Sequence, residues 1–337
     1  MKRKCILALL LLLVLLTSVA CGQPAQTTPP PAAGATAPEP AAEFAIKPDR
    51  ATSHSIDEIV VPGAQWEKVA TKEGGIFIEG VNFDSANRLW FIDVAGHAIY
   101  YVDENGAVQT QFESPDIMPN GARFIDDNTM LITDRIQGLI KFDLTTNTFE
   151  VLFNSYEGKR FNAVNDLVLD GEGGCYFTDP GVSYLTDPIG AVYYCDYSAA
   201  EPTLEQIETG LIYPNGITMD PTGMYLYVAG FAENQIICIP TKKYVGNEGT
   251  RVFARLVGGI GPDGVECDSD GNVYAAHLEA GEVVVIDRKG YEICKIGLPA
   301  EAGLLSDNLC LHEGYLYVCE ASTSTIWRIA INTSPTA

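Results

Sequence analysis

Positive charge is scarce in this chain. Lys and Arg supply 21 of its 337 residues against 44 Asp and Glu, a formal net charge of −23. So acidic a surface repels phosphate backbones, which argues against nucleic acid as a partner; it is also a poor match for anionic lipid headgroups and attracts cations. No zinc-ligand spacing, phosphate-binding loop, His-Glu-x-x-His pair or nucleophile elbow occurs, so several common enzyme classes lack their signatures here. Aromatic residues make up 9%, and no long amphipathic helix is visible. The apolar run from Ile6 to Leu16 has 11 residues, too short to span a bilayer as a mature helix. Glycine, by contrast, is plentiful at 32 residues, beside 16 Tyr. That combination predicts tight turns between short strands.

The ends of the chain differ from its middle. Lys2, Arg3 and Lys4 precede the apolar run, and the small residues Ser18 and Ala20 precede Cys21. This resembles a bacterial lipoprotein signal over residues 1–21, with Cys21 lipidated after cleavage. Residues 22–43 are rich in Pro, Ala and Thr and cannot build a core, which predicts a tether. The expected location is the cell envelope, outside the cytoplasm, with the membrane contacted only through the N-terminal lipid. Cleavage leaves 18 basic residues against 44 acidic ones, a net charge of −26.

The remainder repeats. Six segments begin on a polar residue, run through an alternating apolar stretch, turn, and return as a second apolar stretch. They read EGVNFDSANRLWFID from Glu79, NGARFIDDNTMLITD from Asn120, NDLVLDGEGGCYFTD from Asn165, NGITMDPTGMYLYVAG from Asn215, DGVECDSDGNVYAAH from Asp263 and DNLCLHEGYLYVCE from Asp307. Their starts fall 41, 45, 50, 48 and 44 residues apart. A period near 45 with two-residue alternation predicts an all-β, six-bladed β-propeller of four antiparallel strands per blade, over residues 44–333. The sixth blade runs out of chain after Ile331, so its outer strand is expected upstream, over Trp66 to Thr71.

Two tempting signals have plainer explanations. Asp268-Ser-Asp270-Gly-Asn272 looks like part of a calcium loop, but its Gly is at the fourth position and the repeat places it in a hairpin turn. Nine cysteines suggest disulfides, yet Cys267 and Cys175 align with apolar residues of other repeats and read as core. A Cys175–Cys195 pair across two strands of blade three remains an alternative.

Strand one of a propeller blade lines the central channel, so its first residue sits near the axis. Superposing the repeats brings Glu79, Asn120, Asn165, Asn215, Asp263 and Asp307 to one level. Six oxygen-bearing side chains converging without Cys or His suit a hard cation such as Ca²⁺. The plainer alternative is turn chemistry, which explains Asn-Gly and Asp-Gly well and Glu79 less well. Strand two returns to the same mouth and ends at Asp93, Asp134, Asp179, Gly230, His277 and Glu320. These residues are expected to wall a pocket or to cap turns. His277 is a titratable candidate for proton transfer.

Glu79-Gly80, Asn165-Asp166, Pro214-Asn215-Gly216 and Pro262-Asp263-Gly264 together resemble the senescence marker protein/gluconolactonase/lactonase-like family, the regucalcin-like six-bladed propellers. The resemblance covers nearly all of residues 75–330. It implies that Glu79, Asn165, Asn215 and Asp263 hold calcium on the axis, with Mg²⁺, Mn²⁺ or Zn²⁺ as other possible divalent ions. It further implies Asp263 as general base or nucleophile, and Asp307 with Asn308 near the metal. Asn120 and Asp134 stand where paraoxonase-like members carry a histidine pair, which puts paraoxonase-type chemistry in doubt.

The expected function is a calcium-dependent hydrolase of lactones or related esters, a monomer acting on a small molecule. The expected catalytic residues are Asp263 and His277, with Asn120, Asp134, Asp179, Asp307 and Asn308 lining the pocket. The alternative is a non-catalytic surface binding module with a structural calcium. A carbon–carbon bond-forming enzyme of the strictosidine synthase type is disfavoured, because that family lacks the metal ring.

Overall fold

Alternating apolar residues separated by Gly, Asp and Asn turns give strands that each need a neighbour on both faces. The computed structural model describes residues 55–332 and meets that need with six four-stranded antiparallel sheets. Cys21, the signal and the tether lie outside the described residues. Strand β1 (Glu67–Thr71) comes first in the chain but belongs to the last blade. Blade one is β2 (Ile78–Phe83), β3 (Leu89–Asp93), β4 (Ala98–Val102) and β5 (Val108–Glu113). Blade two is β6 (Pro119–Asp126), β7 (Thr129–Asp134), β8 (Gly138–Asp143) and β9 (Thr148–Phe153). A short hairpin, β10 (Ser155–Tyr156) with β11 (Lys159–Arg160), intervenes; the repeat pattern gave no sign of it. Blade three is β12 (Leu167–Leu169), β13 (Gly174–Asp179), β14 (Gly190–Asp196) and β15 (Thr203–Leu211). Blade four is β16 (Pro214–Met219), β17 (Tyr225–Gly230), β18 (Gln235–Pro240) and β19 (Arg251–Arg255). Blade five is β20 (Gly261–Cys267), β21 (Val273–Leu278), β22 (Glu282–Ile286) and β23 (Glu292–Gly297). Blade six is β24 (Ser306–His312), β25 (Tyr315–Glu320), β26 (Thr325–Ala330) and, outermost, β1.

That last pairing closes the ring as expected. Glu67 faces Arg328 and Thr71 faces Thr325 across the β1–β26 ladder, and Arg328 bonds Glu67 at 2.7 Å. The Trp66 indole adds a bond to Gly297 O of blade five at 2.8 Å. A single helical turn, α1 (Ile56–Ile59), is held by a Ser55–Glu58 capping box and adds Ile59 and Val60 to the wall between blades five and six.

The core is a set of walls. Six apolar clusters lie among the described residues, one between each pair of neighbouring blades. Two-residue alternation builds them: Trp90 and Ile92 face blade two, while Phe91 between them faces blade six. Each such side chain buried from water contributes about 1.5–3 kcal/mol. Cys175 and Cys267 sit in these walls as small apolar residues. Cys175 and Cys195 are direct cross-strand neighbours, both free thiols. Asp268 accepts the amides of Asp270 and Asn272 at 3.0 and 2.8 Å, so its segment is a hairpin turn.

Candidate metal centre

The first strands of neighbouring blades touch around the axis. In five blades the ladder between strands one and two slips at the axial residue: between Glu79 and Asn82, Pro119 and Gly121, Pro214 and Ile217, Pro262 and Val265, and Ser306 and Leu309. Such a bulge frees the local backbone from the ladder and re-aims its side chains. In blade three the chain achieves this by entering β12 late, with Asn165 N–H donating to Thr178 O at 2.9 Å.

The glycines that follow axial residues allow close approach of backbones rather than hairpin turns. A Cβ on Gly216 would lie 2.4 Å from Asp263 O and 2.7 Å from Val265 N. One on Gly264 would lie 2.9 Å from Asn308 Cα. The turn-chemistry explanation of Asn-Gly and Asp-Gly is therefore replaced by blade-to-blade contact. In blade three Asp166 takes the glycine's place, and its carboxylate bonds the amides of Leu167 at 2.8 Å and Ile217 at 3.3 Å.

Hydroxyls then staple blade to blade. Thr133 Oγ1 accepts Gly121 N–H at 2.9 Å and donates to the carbonyl of Asn165. Thr178 Oγ1 accepts Asp166 N–H at 3.2 Å and donates to the carbonyl of Asn215 at 2.7 Å. Ser306 Oγ donates to His277 O at 2.9 Å. The backbones carrying two axial asparagines are thus fixed by the neighbouring blade. The repeated Thr-Asp at the ends of β7 and β13 was the available sequence signal for these threonines.

All six axial side chains are buried. Burial raises the Glu79 carboxyl well above its ordinary range, and the charges of Asp263, Asp307 and Asp166 raise it further; the Asn308 side chain opposes this by bonding it. Asp263 is pushed up to about 8 by burial and by Asp166, against a hydrogen bond from Asn215 and the charge of Arg135. Burial, then Asp263, raises Asp307. Glu79, Asp263, Asp307, Asn215 and Asn308 therefore share one environment, drawn from blades one, four, five and six. Three of its buried oxygens, Asn215 Oδ1, Asp307 Oδ2 and Asn308 Oδ1, have no hydrogen-bond donor. An unmatched buried oxygen costs about 1–3 kcal/mol, and crowded carboxyls add to that.

A hard cation would answer both costs, since every donor is oxygen. Among the described residues no three His, Cys, Asp or Glu side chains are gathered to hold a metal by themselves, so a cation there would depend on the amide oxygens as well. With that contribution the donor set fits Ca²⁺.

The remaining expected site residues are placed differently. Asn120 is on the ring, and its Oδ1 accepts Arg135 Nη1 at 3.2 Å. Asp134 accepts the amides of Met118, Ile136 and Gln137 at 2.8–2.9 Å. Asp179 accepts those of Asn162 and Ala163 at 3.0 and 2.8 Å. Asp93 and Glu320 do likewise with loop amides. These strand-two acids tie the incoming loop to the next turn, which favours the capping explanation over a pocket wall. His277 is fully buried, with Nε2 3.0 Å from Asn234 Oδ1 and Nδ1 3.4 Å from Glu282 Oε1. Both ring nitrogens are engaged away from water, so its place in the structure supports a scaffold role rather than proton transfer.

Below the ring, Arg123 of blade two meets Glu266 of the opposite blade five at 2.8 Å, a cross-channel ion pair that sequence reasoning missed. It ties blade two to blade five beneath the axial residues.

A family model described as SMP-30/Gluconolactonase/LRE-like region matches residues 77–306. The chain belongs to this family. Among curated relatives of this SMP-30/gluconolactonase family member, lactonase drp35 of Staphylococcus haemolyticus is 28% identical over 250 residues, covering 71% of this chain and 74% of the relative. Among solved structures, a gluconolactonase from Xanthomonas campestris superposes with a TM-score of 0.70 at 20% identity, covering 82% of this chain and 93% of that one. A calcium-binding regucalcin from Agrobacterium tumefaciens gives 0.68 at 18%, covering 80% and 95%. The two structures share the six-bladed fold with this chain.

Proposed function

We propose that this protein is a calcium-dependent hydrolase of lactones or related esters. The cation would be held by Glu79, Asn165, Asn215 and Asp263, with Asp307 and Asn308 beside it. The observation that carries this reading is the group of buried oxygens without donors among crowded carboxyls at the axis. The lactonase relative supports the substrate class.

When bound, Ca²⁺ would polarise the scissile carbonyl, acidify a water and offset the charge of the carboxylates. The protein's own residues do the rest. Asp263 takes a proton from the attacking water as its oxygen joins the carbonyl carbon; the ring C–O bond then breaks, and the departing oxygen takes up the proton to leave a hydroxy acid. Asn215 orients Asp263 through its side-chain bond, and Asn308 orients Glu79. Thr133 and Thr178 hold the backbones of Asn165 and Asn215 in place. The Arg123–Glu266 pair braces blade two against blade five beneath them.

A second reading also has an observation in its favour. The axial side chains are at most 5% exposed, as a purely structural calcium in a binding module would require. One experiment separates the two: hydrolysis of aliphatic lactones and aryl esters by the full chain, with calcium, with chelator and with Asp263→Ala. Turnover that needs both calcium and Asp263 supports the hydrolase. No turnover, with a melting temperature that falls on chelation, supports the binding module. We infer further that the protein is a monomer tethered outside the cytoplasm through lipidated Cys21; Cys21→Ala would then move it from the membrane to the soluble fraction.

A further inference from the structure

Arg135 follows Asp134 at the end of β7 and is half-buried at the mouth of the channel. Its Nη1 donates to the axial Asn120 Oδ1 at 3.2 Å. Its charge reaches Asp263 on the opposite blade and Asp179 on the next one. The guanidinium has five N–H donors, and the bond to Asn120 uses one.

Four other arginines each have a carboxylate at close range: Arg88 with Asp84 at 2.7 Å, Arg123 with Glu266 at 2.8 Å, Arg251 with Glu248 at 3.2 Å and Arg328 with Glu67 at 2.7 Å. Arg135 has no carboxylate within ion-pair distance among the described residues. Arg160, Arg255 and Arg288 likewise have no carboxylate within ion-pair distance among the described residues, so what distinguishes Arg135 is its place: it bonds an axial residue and has donors to spare at the rim of an acidic site. Coulomb repulsion from the site would turn away an anionic ligand, and a forked guanidinium is the group that admits one. A neutral lactone has no use for it. The charge count favours a monoanion: with Ca²⁺ on the axis already outweighed by the carboxylates of Glu79, Asp263 and Asp307, one guanidinium is left to match one carboxylate.

We propose that Arg135 is a specificity-determining residue that binds a carboxylate carried by the substrate, so that the substrates are lactones with a carboxylate next to the ring. This rests on the lactone-hydrolase reading above, and the test keeps the two apart.

The probes are 5-oxotetrahydrofuran-2-carboxylate and its neutral carboxamide, given to the full chain with calcium. The wild type should prefer the carboxylate in kcat/KM, and Arg135→Gln should cut that preference about 30-fold, the expected weight of a charge-assisted pair. Taking the ratio cancels any loss common to both substrates. Arg135→Lys, which keeps the charge without the fork, should retain part of the preference. A wild type without preference, or a preference that survives Arg135→Gln, overturns the proposal. Should neither lactone turn over, the panel of aliphatic lactones and aryl esters decides on the hydrolase reading, and calorimetry with the carboxylate lactone and calcium-loaded protein decides on Arg135. Binding that is lost in Arg135→Gln upholds the carboxylate site; binding that is absent or unchanged overturns it.

Discussion

Aspartates crowd both ends of the blades, and those on the axis are treated oppositely to those in the far turns. At the end away from the mouth, Asp84 accepts the amides of Ala86 and Arg88 at 2.9 Å, Arg88 Nε at 2.7 Å and the Trp90 indole at 3.0 Å. Burial pulls its carboxyl upward, but these donors outweigh it and hold the group below its ordinary value. The half-buried turn acids Asp103 and Asp143 are lowered mainly by backbone amides. At the mouth, Asp263 and Asp307 lie deep among other carboxyls with few donors, and both are raised. The turn acids are finished by the protein's own donors, whereas the axial acids are left incomplete. A fold retains such incompleteness where something outside the chain completes it.

The most direct way to break the comparison is to remove one acid from each end. Asp263→Ala should lower kcat by about a thousandfold or more, the scale of losing a base and a metal ligand together. Asp84→Ala should leave turnover per folded molecule unchanged. If Asp263→Ala retains full turnover on a substrate the wild type hydrolyses, the axial acids are not the chemical centre.

Removing calcium should act at one end only. With calcium about a hundredfold above Kd, binding stabilises the fold by about 2.7 kcal/mol. Chelation should therefore lower the melting temperature by about 5–10 °C, and Asp307→Ala should shrink that difference. An unchanged melting temperature in both would count against a cation on the axis.

Glycines sharpen the same contrast. A methyl group on Gly216 would run into Asp263 O at 2.4 Å, a backbone atom that cannot step aside. Gly216→Ala should cost about 3 kcal/mol and weaken calcium binding. Gly171 lies in a hairpin turn at the opposite end, with φ +74° and nothing within 4 Å of a new Cβ. Gly171→Ala should cost only the left-handed penalty of about 1–2 kcal/mol and leave calcium affinity alone. Chemical denaturation with a calcium titration on each variant checks both.

The fold was legible because a propeller writes its period into the chain. Six alternating segments about 45 residues apart fixed the blade number, and the chain's end after Ile331 pointed to β1 as the closing strand. The axial ring was legible for the same reason, since superposed repeats share one height. What the pattern could not carry was direction across blades. Asp134, Asp179 and His277 stand at the end of strand two where expected, yet hydrogen bonds to loop and neighbouring groups turn their side chains into the scaffold. Arg123 and Glu266 meet across the channel though 143 positions apart, and nothing local marks them as partners. The bulges at the axial residues arise from inter-strand register, which no single strand's sequence states.

Asp84 extends the comparison to pH. Its folded carboxyl lies below the ordinary 3.8, so its contribution is full above the unfolded value and is lost as the pH falls through the folded one. Asp84→Asn should thus be less stable than wild type by about 2 kcal/mol at neutral pH, and the gap should close below pH about 4. A gap that persists undiminished at acid pH would mean that packing, rather than the ionised turn acid, accounts for it.

The smallest expected difference is between two threonines. Thr178 is fully buried and bridges Asp166 N–H and Asn215 O. Valine keeps its shape and removes both bonds, leaving a donor and an acceptor unmatched in the wall behind the axial Asn215. Thr178→Val should cost about 1–2 kcal/mol and, because the Asn215 backbone loses its anchor, weaken calcium binding several-fold. Thr146, in an exposed turn at the far end, shares its hydroxyl between Thr148 at 2.8 Å and the turn acid Asp143. Thr146→Val should stay within about 0.5 kcal/mol and leave calcium binding alone. Equal effects on calcium affinity would show that the staples serve the propeller as a whole; unequal ones would mean that the hydroxyls at the mouth hold the asparagines in place for the cation.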